Sequence, residues 1–420
     1  MSIPRHILPI RLAEFKLGCG VLLFNTLNQA LVELTDTEFM CLIEDGSSAE
    51  QRSLQTALEP CGVLETPSLP LPRVESSRVV LVPTLLCNKN CPYCYHGGSV
   101  DLTMQKGDIP LLVSYVRDFL YAKKPPRVCV IWHGGEPLIA LSLISKISTQ
   151  LYSMATEMEY EESLLTNGLL LSPPTVDQLV RHTHINELQI SIDRETSQHS
   201  LDMIQSAVRT LLAEKWAVTV KYNIQETDWT YANLVAEAFS SLVGKGRLSF
   251  ILGYLEPHGP LGSTPCLSFP DFIDRYWSLS KRLRDLGIGW TPDLPEKLFS
   301  ACVANDPNAI TIGPDLYAYR CNVNIPMPEW RIANVRVGYG VEPCAEASAP
   351  FMKYDPTTDA KCCTCPALHC CMGGCHVKRI FGQRNLDYCE GTMRRLKWQI
   401  VEFYMSHEQD QQLPQVDLSI

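Results

Sequence analysis

The sequence predicts an α/β protein: an open barrel of six parallel βα units, with a small α+β module ahead of it and a cysteine-rich region behind it. Three observations carry that expectation. From about residue 78 the chain repeats strand, loop and helix. Ahead of that repeat, two helix-start signals follow a hairpin pattern. Behind it, cysteines crowd into a short stretch. The chain has 420 residues, of which 18 are cysteine, too many for ordinary usage and too few for a small disulfide scaffold. Apolar residues make up 45% and charged residues 20%, which is a globular composition. The formal charge of −10 argues against a broad nucleic-acid surface without excluding a local basic groove.

The α+β module spans 1–72. Gly20–Phe24 and Ala30–Leu34 read as a hairpin around Asn25–Gln29. Thr35 and Glu38 are spaced as a capping box, which predicts a helix through Met40–Ile43. Ser48 and Gln51 repeat the signal for a second helix ending near Pro60. Two short helices and a hairpin suit a winged-helix-like module. The run Thr66–Pro72 holds three prolines and reads as a semi-rigid linker.

The barrel spans 73–265. Its predicted strands are Arg78–Val82, Arg127–Trp132, Glu162–Leu165, Glu187–Ile192, Ala217–Tyr222 and Leu248–Leu255. Helical stretches lie between them: Leu111–Tyr121, Leu141–Met158, Pro174–Thr183, Ile204–Glu214 and Tyr231–Ser241. Pro174 suits a first turn, where its missing N–H costs nothing. Strands alternating with helices predict right-handed βαβ units and a parallel sheet. Chemistry in such barrels sits at the C-terminal ends of the strands. Polar and glycine-rich groups fall at five of those ends, beginning with Cys87 and including Trp132–Pro137, Thr166–Gly168, Ser191–Asp193 and Asn223. A linking helical segment at 266–300, a cysteine-rich domain at 301–405 and a polar tail at 406–420 complete the expected order.

No secretory signal is visible near Met1, and no run reaches the roughly 18 apolar residues of a membrane helix. The expectation is therefore a cytoplasmic chain with no membrane partner. In a reducing compartment, clustered cysteines point to metal ligation or catalysis rather than disulfides. Cys87, Cys91 and Cys94 form a C-x3-C-x2-C run on one loop. A four-iron cube takes thiolate ligands, ordinarily four, so three would leave one iron open to chelate a small molecule. Zinc is the rival, but a structural zinc site closes with four ligands, and only His96 is near.

This loop, with Tyr93 before its last cysteine, resembles the signature of the radical S-adenosylmethionine superfamily. Gly134-Gly135-Glu136-Pro137 is similar to that family's GGEP motif, and Ser191 and Asp193 to its S-x-D motif. Arg194 stands where a glycine usually follows. The resemblance, over about 78–265, implies a partial (β/α)6 TIM-type barrel. It implies a cofactor cleft lined by Tyr93, Gly134, Gly135, Glu136, Pro137, Thr166, Asn167, Ser191, Asp193 and Asn223. There the glutamate and exposed backbone hold the methionine amino group. It also implies reductive cleavage of S-adenosylmethionine to a 5′-deoxyadenosyl radical that abstracts hydrogen from substrate. A flavodoxin or ferredoxin would supply the electron.

Cys362-x2-Cys365-x5-Cys371-x3-Cys375 resembles the core of the SPASM domain, an auxiliary-cluster extension of such enzymes. Cys302, Cys321 and Cys389 extend the match, with Leu316 in place of an expected glycine and Gly313 nearby. The resemblance implies three 4Fe–4S clusters in all. Cys302, Cys321 and Cys375 would serve the first auxiliary cluster, and Cys362, Cys365, Cys371 and Cys389 the second. For the first, either one iron stays open or Cys344, Cys363, Cys370 or Cys266 closes it. The same resemblance suggests a maturase of ribosomally made peptides whose N-terminal module captures a precursor's leader peptide. The alternatives are a formylglycine-forming sulfatase maturase, although Asn322 replaces its expected aspartate base, and a non-catalytic cluster scaffold. Tyr95, His96, Asp193, Tyr222, Tyr254 and Glu256 are candidate acid–base or orienting groups.

Overall fold

The computed structural model describes residues 3–44, 48–66, 76–225, 229–255, 267–288, 293–298, 302–341, 343–380 and 386–408. Glu256, Cys266, the linker beyond Thr66 and the tail beyond Glu408 lie outside the described residues. Two compact units emerge. One comprises 1–72, 291–302 and 354–420; the other comprises 73–290 and 303–353.

The first unit begins with a three-stranded antiparallel sheet: β1 (Ile7–Arg11), β2 (Val21–Asn25) and β3 (Leu31–Leu34), in that order. β2 and β3 form the expected hairpin. β1 was not expected from the sequence. Its Pro9 pairs with Leu23 at the sheet edge, where a missing N–H is tolerated. Then come α1 (Asp36–Ile43) and α2 (Ala49–Leu58). Thr35 caps α1 as a full capping box: Glu38 N donates to Thr35 Oγ1 at 3.2 Å, and Thr35 N donates to Glu38 Oε2 at 2.7 Å. Ser48 caps α2, but Gln51 does not reciprocate. Its Nε2 instead donates to the α1 carbonyls of Leu42 and, just beyond the helix, Glu44.

The second unit is built on β4 (Ser77–Leu81), β5 (Arg127–Trp132), β6 (Glu159–Thr166), β7 (Glu187–Ile192), β8 (Ala217–Ile224) and β9 (Arg247–Tyr254), paired in that order and all parallel. The connecting helices are α3 (Ile109–Lys123), α4 (Leu141–Met154), α5 (Pro173–His182), α6 (Gln198–Ala213) and α7 (Trp229–Ser240), with α8 (Phe269–Asp285) after β9. α4 stops short of the expected Met158 because the chain enters β6 at Glu159. α6 starts earlier than expected because Ser197 Oγ accepts from Ser200 N at 3.2 Å.

Alternation along each strand sorts its side chains. Val128, Val130 and Trp132 of β5, or Val218, Val220 and Tyr222 of β8, are buried in the large core that the helices cover. Their alternates, such as Gln189, Ser191, Lys221 and Asn223, share the opposite face. That core also holds a carboxylate. Glu162, 1% exposed, accepts from Trp132 Nε1, from Ser148 Oγ at 2.8 Å and from Tyr160 OH at 2.9 Å.

The sheet is wider than the six expected strands. β10 (Ala309–Ile312) pairs parallel with the free side of β4, and β11 (Tyr317–Tyr319) and β12 (Ala333–Asn334) continue antiparallel. The stretch 303–353, read from sequence as the start of the cysteine-rich domain, thus lies in the same unit as the barrel. Leu316, in place of the expected glycine, adopts φ 57 itself and turns β10 into β11. Arg194 is not among the residues with positive φ, so no glycine is needed there. α9 (Ala345–Met352) closes this unit.

The first unit resumes with α10 (Leu368–Cys371), α11 (His376–Ile380) and α12 (Leu386–Glu408). These pack with the N-terminal sheet. Lys397 Nζ pairs with Glu14 at 2.9 Å, and Thr26 Oγ1 donates to Pro366 O at 3.1 Å. Among the described residues no helix is long and apolar enough to cross a membrane.

Candidate active site

The three-cysteine loop leaves the C-terminal end of β4 and is held there by the segment after β5. His133 N donates to Leu81 O at 2.9 Å, Gly135 N to Thr84 O at 3.0 Å and Glu136 N to Leu86 O at 2.8 Å. The two glycines make that pairing possible. A Cβ on Gly134 would stand 2.3 Å from Thr84 O, and one on Gly135 2.3 Å from Leu86 O. What a side chain would block is the chain's own backbone.

Glu136 is fully buried rather than open to the cleft. Its Oε1 accepts from Leu138 N at 3.0 Å and Thr166 Oγ1 at 2.7 Å, and its Oε2 from Asn167 N at 2.8 Å. Burial pushes its pKa up, and these three donors oppose the shift. The carboxylate therefore joins the ends of β5 and β6. Asn167 in turn donates to Asn88 Oδ1 at 2.7 Å and lies 3.9 Å from Cys87 Sγ.

Asp193, after β7, anchors the same loop from the other side. Lys89 Nζ donates to both its oxygens at 2.7 Å, and Tyr93 OH to Oδ2 at 2.5 Å. Burial and the adjacent Asp193 carboxylate push the Tyr93 hydroxyl well above its usual range, so it stays a donor. Burial likewise raises the Cys87 and Cys91 thiols.

These loops surround a cavity of about 390 Å³. It is lined by Cys87, Cys91, Cys94, Tyr93, Tyr95, Gly134, Gly135, Thr166, Asn167, Ser191, Asn223 and Tyr254, all singled out from sequence. Lys89, His133, Gln189 and Lys221 also line it and were not among the expected site residues. Gln189 and Lys221 could have been found by alternation, since each lies two residues before an expected one, Ser191 and Asn223. Pro137, Glu136 and Asp193 stand behind the wall. Tyr222, a candidate acid–base group, instead points into the helix-covered core, 6.0 Å from Tyr231. At the mouth, Asn322 Nδ2 donates to Tyr95 OH at 2.9 Å. His96 Nδ1 lies 3.2 Å from Ile325 O. Burial lowers His96 and His133 to about 4, so both are neutral.

Residues 81–220, a third of the chain, match the family model of the radical SAM superfamily. That stretch is similar to the radical SAM domain. Among curated proteins none matches the chain. Solved structures do. "Native anSMEcpe with bound AdoMet and Cp18Cys peptide" is 15% identical, with a TM-score of 0.59 over 79% of this chain and 99% of that one. Streptococcus suis SuiB bound to S-adenosylmethionine is 15% identical, with a TM-score of 0.57 over 91% and 97%. SuiB bound to precursor peptide SuiA is 14% identical, with a TM-score of 0.56 over 90% and 96%. At such identities the likeness is one of fold.

Outside residues 81–220, the remaining cysteines divide between the units. Cys321 lies near Tyr95, whose hydroxyl it helps raise after burial. Cys344, exposed, precedes α9. In the first unit Cys371 is raised by burial and then by Cys362 and Cys365, which stand close to it. Cys370 is buried against the carbonyls of Thr26 and Pro295, at 4.0 Å from each. Among the described residues no group of three His, Cys, Asp or Glu converges tightly enough for a single ion. A four-iron cube takes its thiolates farther apart, and the three-cysteine loop beside an open cavity fits that larger group.

Proposed function

We propose that this chain is a radical SAM enzyme that modifies a ribosomally made peptide. The observation that carries the reading is that Cys87, Cys91 and Cys94 line one cavity together with Gly134, Gly135, Ser191 and Asn223. Cys87, Cys91 and Cys94 would hold the first cluster, and its open iron with S-adenosylmethionine supplies one-electron cleavage chemistry when bound. The chain's own residues then bind, orient and exclude water. Gly134 and Gly135 present bare backbone, and Thr166, Asn167, Ser191 and Asn223 offer hydroxyl and amide partners to a nucleoside. Cys302, Cys321, Cys362, Cys365, Cys371, Cys375 and Cys389 would serve two auxiliary clusters.

The peptide substrate is supported by the fold likeness to SuiB, a structure of which holds a precursor peptide. The N-terminal sheet offers edge strands, and strand addition there would suit a leader peptide. A sulfatase-maturase-like reading has the fold likeness of anSMEcpe behind it. Asn322, bonded to Tyr95 rather than offering a carboxylate, weighs against it. The test is anaerobic reconstitution, reduction and incubation with S-adenosylmethionine. Formation of 5′-deoxyadenosine is expected; a fully iron-loaded preparation that forms none overturns the proposal. Iron should approach about 12 atoms per chain, and a content near four removes the auxiliary clusters.

A further inference from the structure

We infer that Arg379 and Tyr354 raise the reduction potential of the auxiliary cluster held in part by Cys362. This rests on the reading above that Cys362, Cys365, Cys371 and Cys389 bind a cluster. Both side chains end on one sulfur. Arg379 Nη2 donates to Cys362 Sγ at 3.4 Å, and Tyr354 OH approaches the same atom at 3.8 Å.

The guanidinium is fixed on every side. It is 10% exposed, and Nε and Nη2 both donate to Gly373 O, the first at 2.7 Å. Nη1 stands 3.6 Å from Asp359 Oδ2. The guanidinium also lies over the Tyr354 ring, 4.3 Å from its centre. Asp359 Oδ1 in turn accepts from Cys362 N at 2.9 Å, so one carboxylate orders both the cysteine backbone and the cation beside its sulfur. Gly373 sits at φ 83, and a Cβ there would meet Arg379 Nη2 and the Tyr354 ring at 2.9 Å each. The spacer between Cys371 and Cys375 is therefore shaped to let the two donors reach Cys362.

Donors and positive charge at a ligating sulfur stabilise the reduced cluster, which carries one more negative charge, more than the oxidised one. A fixed arginine costs little reorganisation when the charge arrives.

The test uses the fully reconstituted enzyme and redox titration followed by electron paramagnetic resonance. Arg379→Gln and Tyr354→Phe should each keep the wild-type iron content and shift one auxiliary signal to lower potential, Arg379→Gln the further. The other signals should stay in place. Tyr354→Phe leaves the arginine's hold on Gly373 intact, so it separates tuning from simple loop support. Loaded variants with unmoved potentials overturn the inference, as does loss of iron from both, which would make the pair scaffolding. A Cys362→Ala enzyme that keeps all its iron and signals overturns the cluster assignment itself, a failure distinguishable from the other two.

Discussion

Lys89 Nζ stands 2.7 Å from both carboxylate oxygens of Asp193, although the two residues leave the ends of different strands. Tyr93 ends on the same carboxylate, so both gaps of a loop of three cysteines are tied through one buried group. The pair is 10% and 3% exposed, so little solvent screens it.

Asp193→Ala should therefore leave Lys89 buried and unpaired. A loss of about 3–5 kcal/mol is expected for breaking such a pair. The checks are denaturant unfolding and iron retention at the first cluster after reconstitution. Wild-type iron retention would show that the strut does not hold the loop.

Gly135→Ala should act on the cluster loop without touching a cysteine. Its Cβ would meet backbone oxygens of Leu86 at 2.3 Å and Leu85 at 2.5 Å, which cannot swing away as a side-chain tip would. A cost of about 1–3 kcal/mol and a marked loss of S-adenosylmethionine affinity are expected. Calorimetric titration of the loaded enzyme reads the second quantity.

Stability should fall with acid through His133. Burial, with His96 and Lys221 adding like charge, lowers it from 6.5 to about 4. Below pH 6.5 the unfolded chain takes up a proton that the folded chain refuses until about pH 4, so the contribution is lost on that descent. It amounts to as much as about 2 kcal/mol between pH 6.5 and 5. Unfolding midpoints at pH 7 and pH 5 should lie closer together in His133→Asn than in wild type.

Thr35→Ala removes one half of the capping box that starts α1. About 1 kcal/mol of the first unit's stability should go with it, read as a lower unfolding midpoint. Cleavage of S-adenosylmethionine should be unchanged, because no residue of that box lines the cavity.

The six barrel strands and their order were legible because long βα repeats print their period on the sequence. Boundaries at Arg127–Trp132 and Glu187–Ile192 needed no correction. β1 was hidden by Pro9, and β10 by its brevity, four residues buried on both faces with no alternation to read. The cysteines and glycines of the site were legible because their chemistry restricts residue type. Their roles were less so. Glu136 and Asp193 sit behind the cavity wall, and Tyr222 faces away from it. Position at a strand end locates a residue along the sheet; the face it presents follows from alternation alone.

The pairing of β4 bears on when the three-cysteine loop could accept the cluster proposed for it. Leu81 precedes the cysteine loop by only a few residues, yet one of its strand's two neighbours carries Ile312, synthesised roughly 230 residues later. During synthesis that strand stays open along one edge until the hairpin of β10 and β11 has emerged. Iron–sulfur assembly factors would thus meet a loop whose supporting strand is complete only near the end of translation. Truncated chains ending before Ala309 should be poor recipients of the first cluster even though they contain every one of its cysteines.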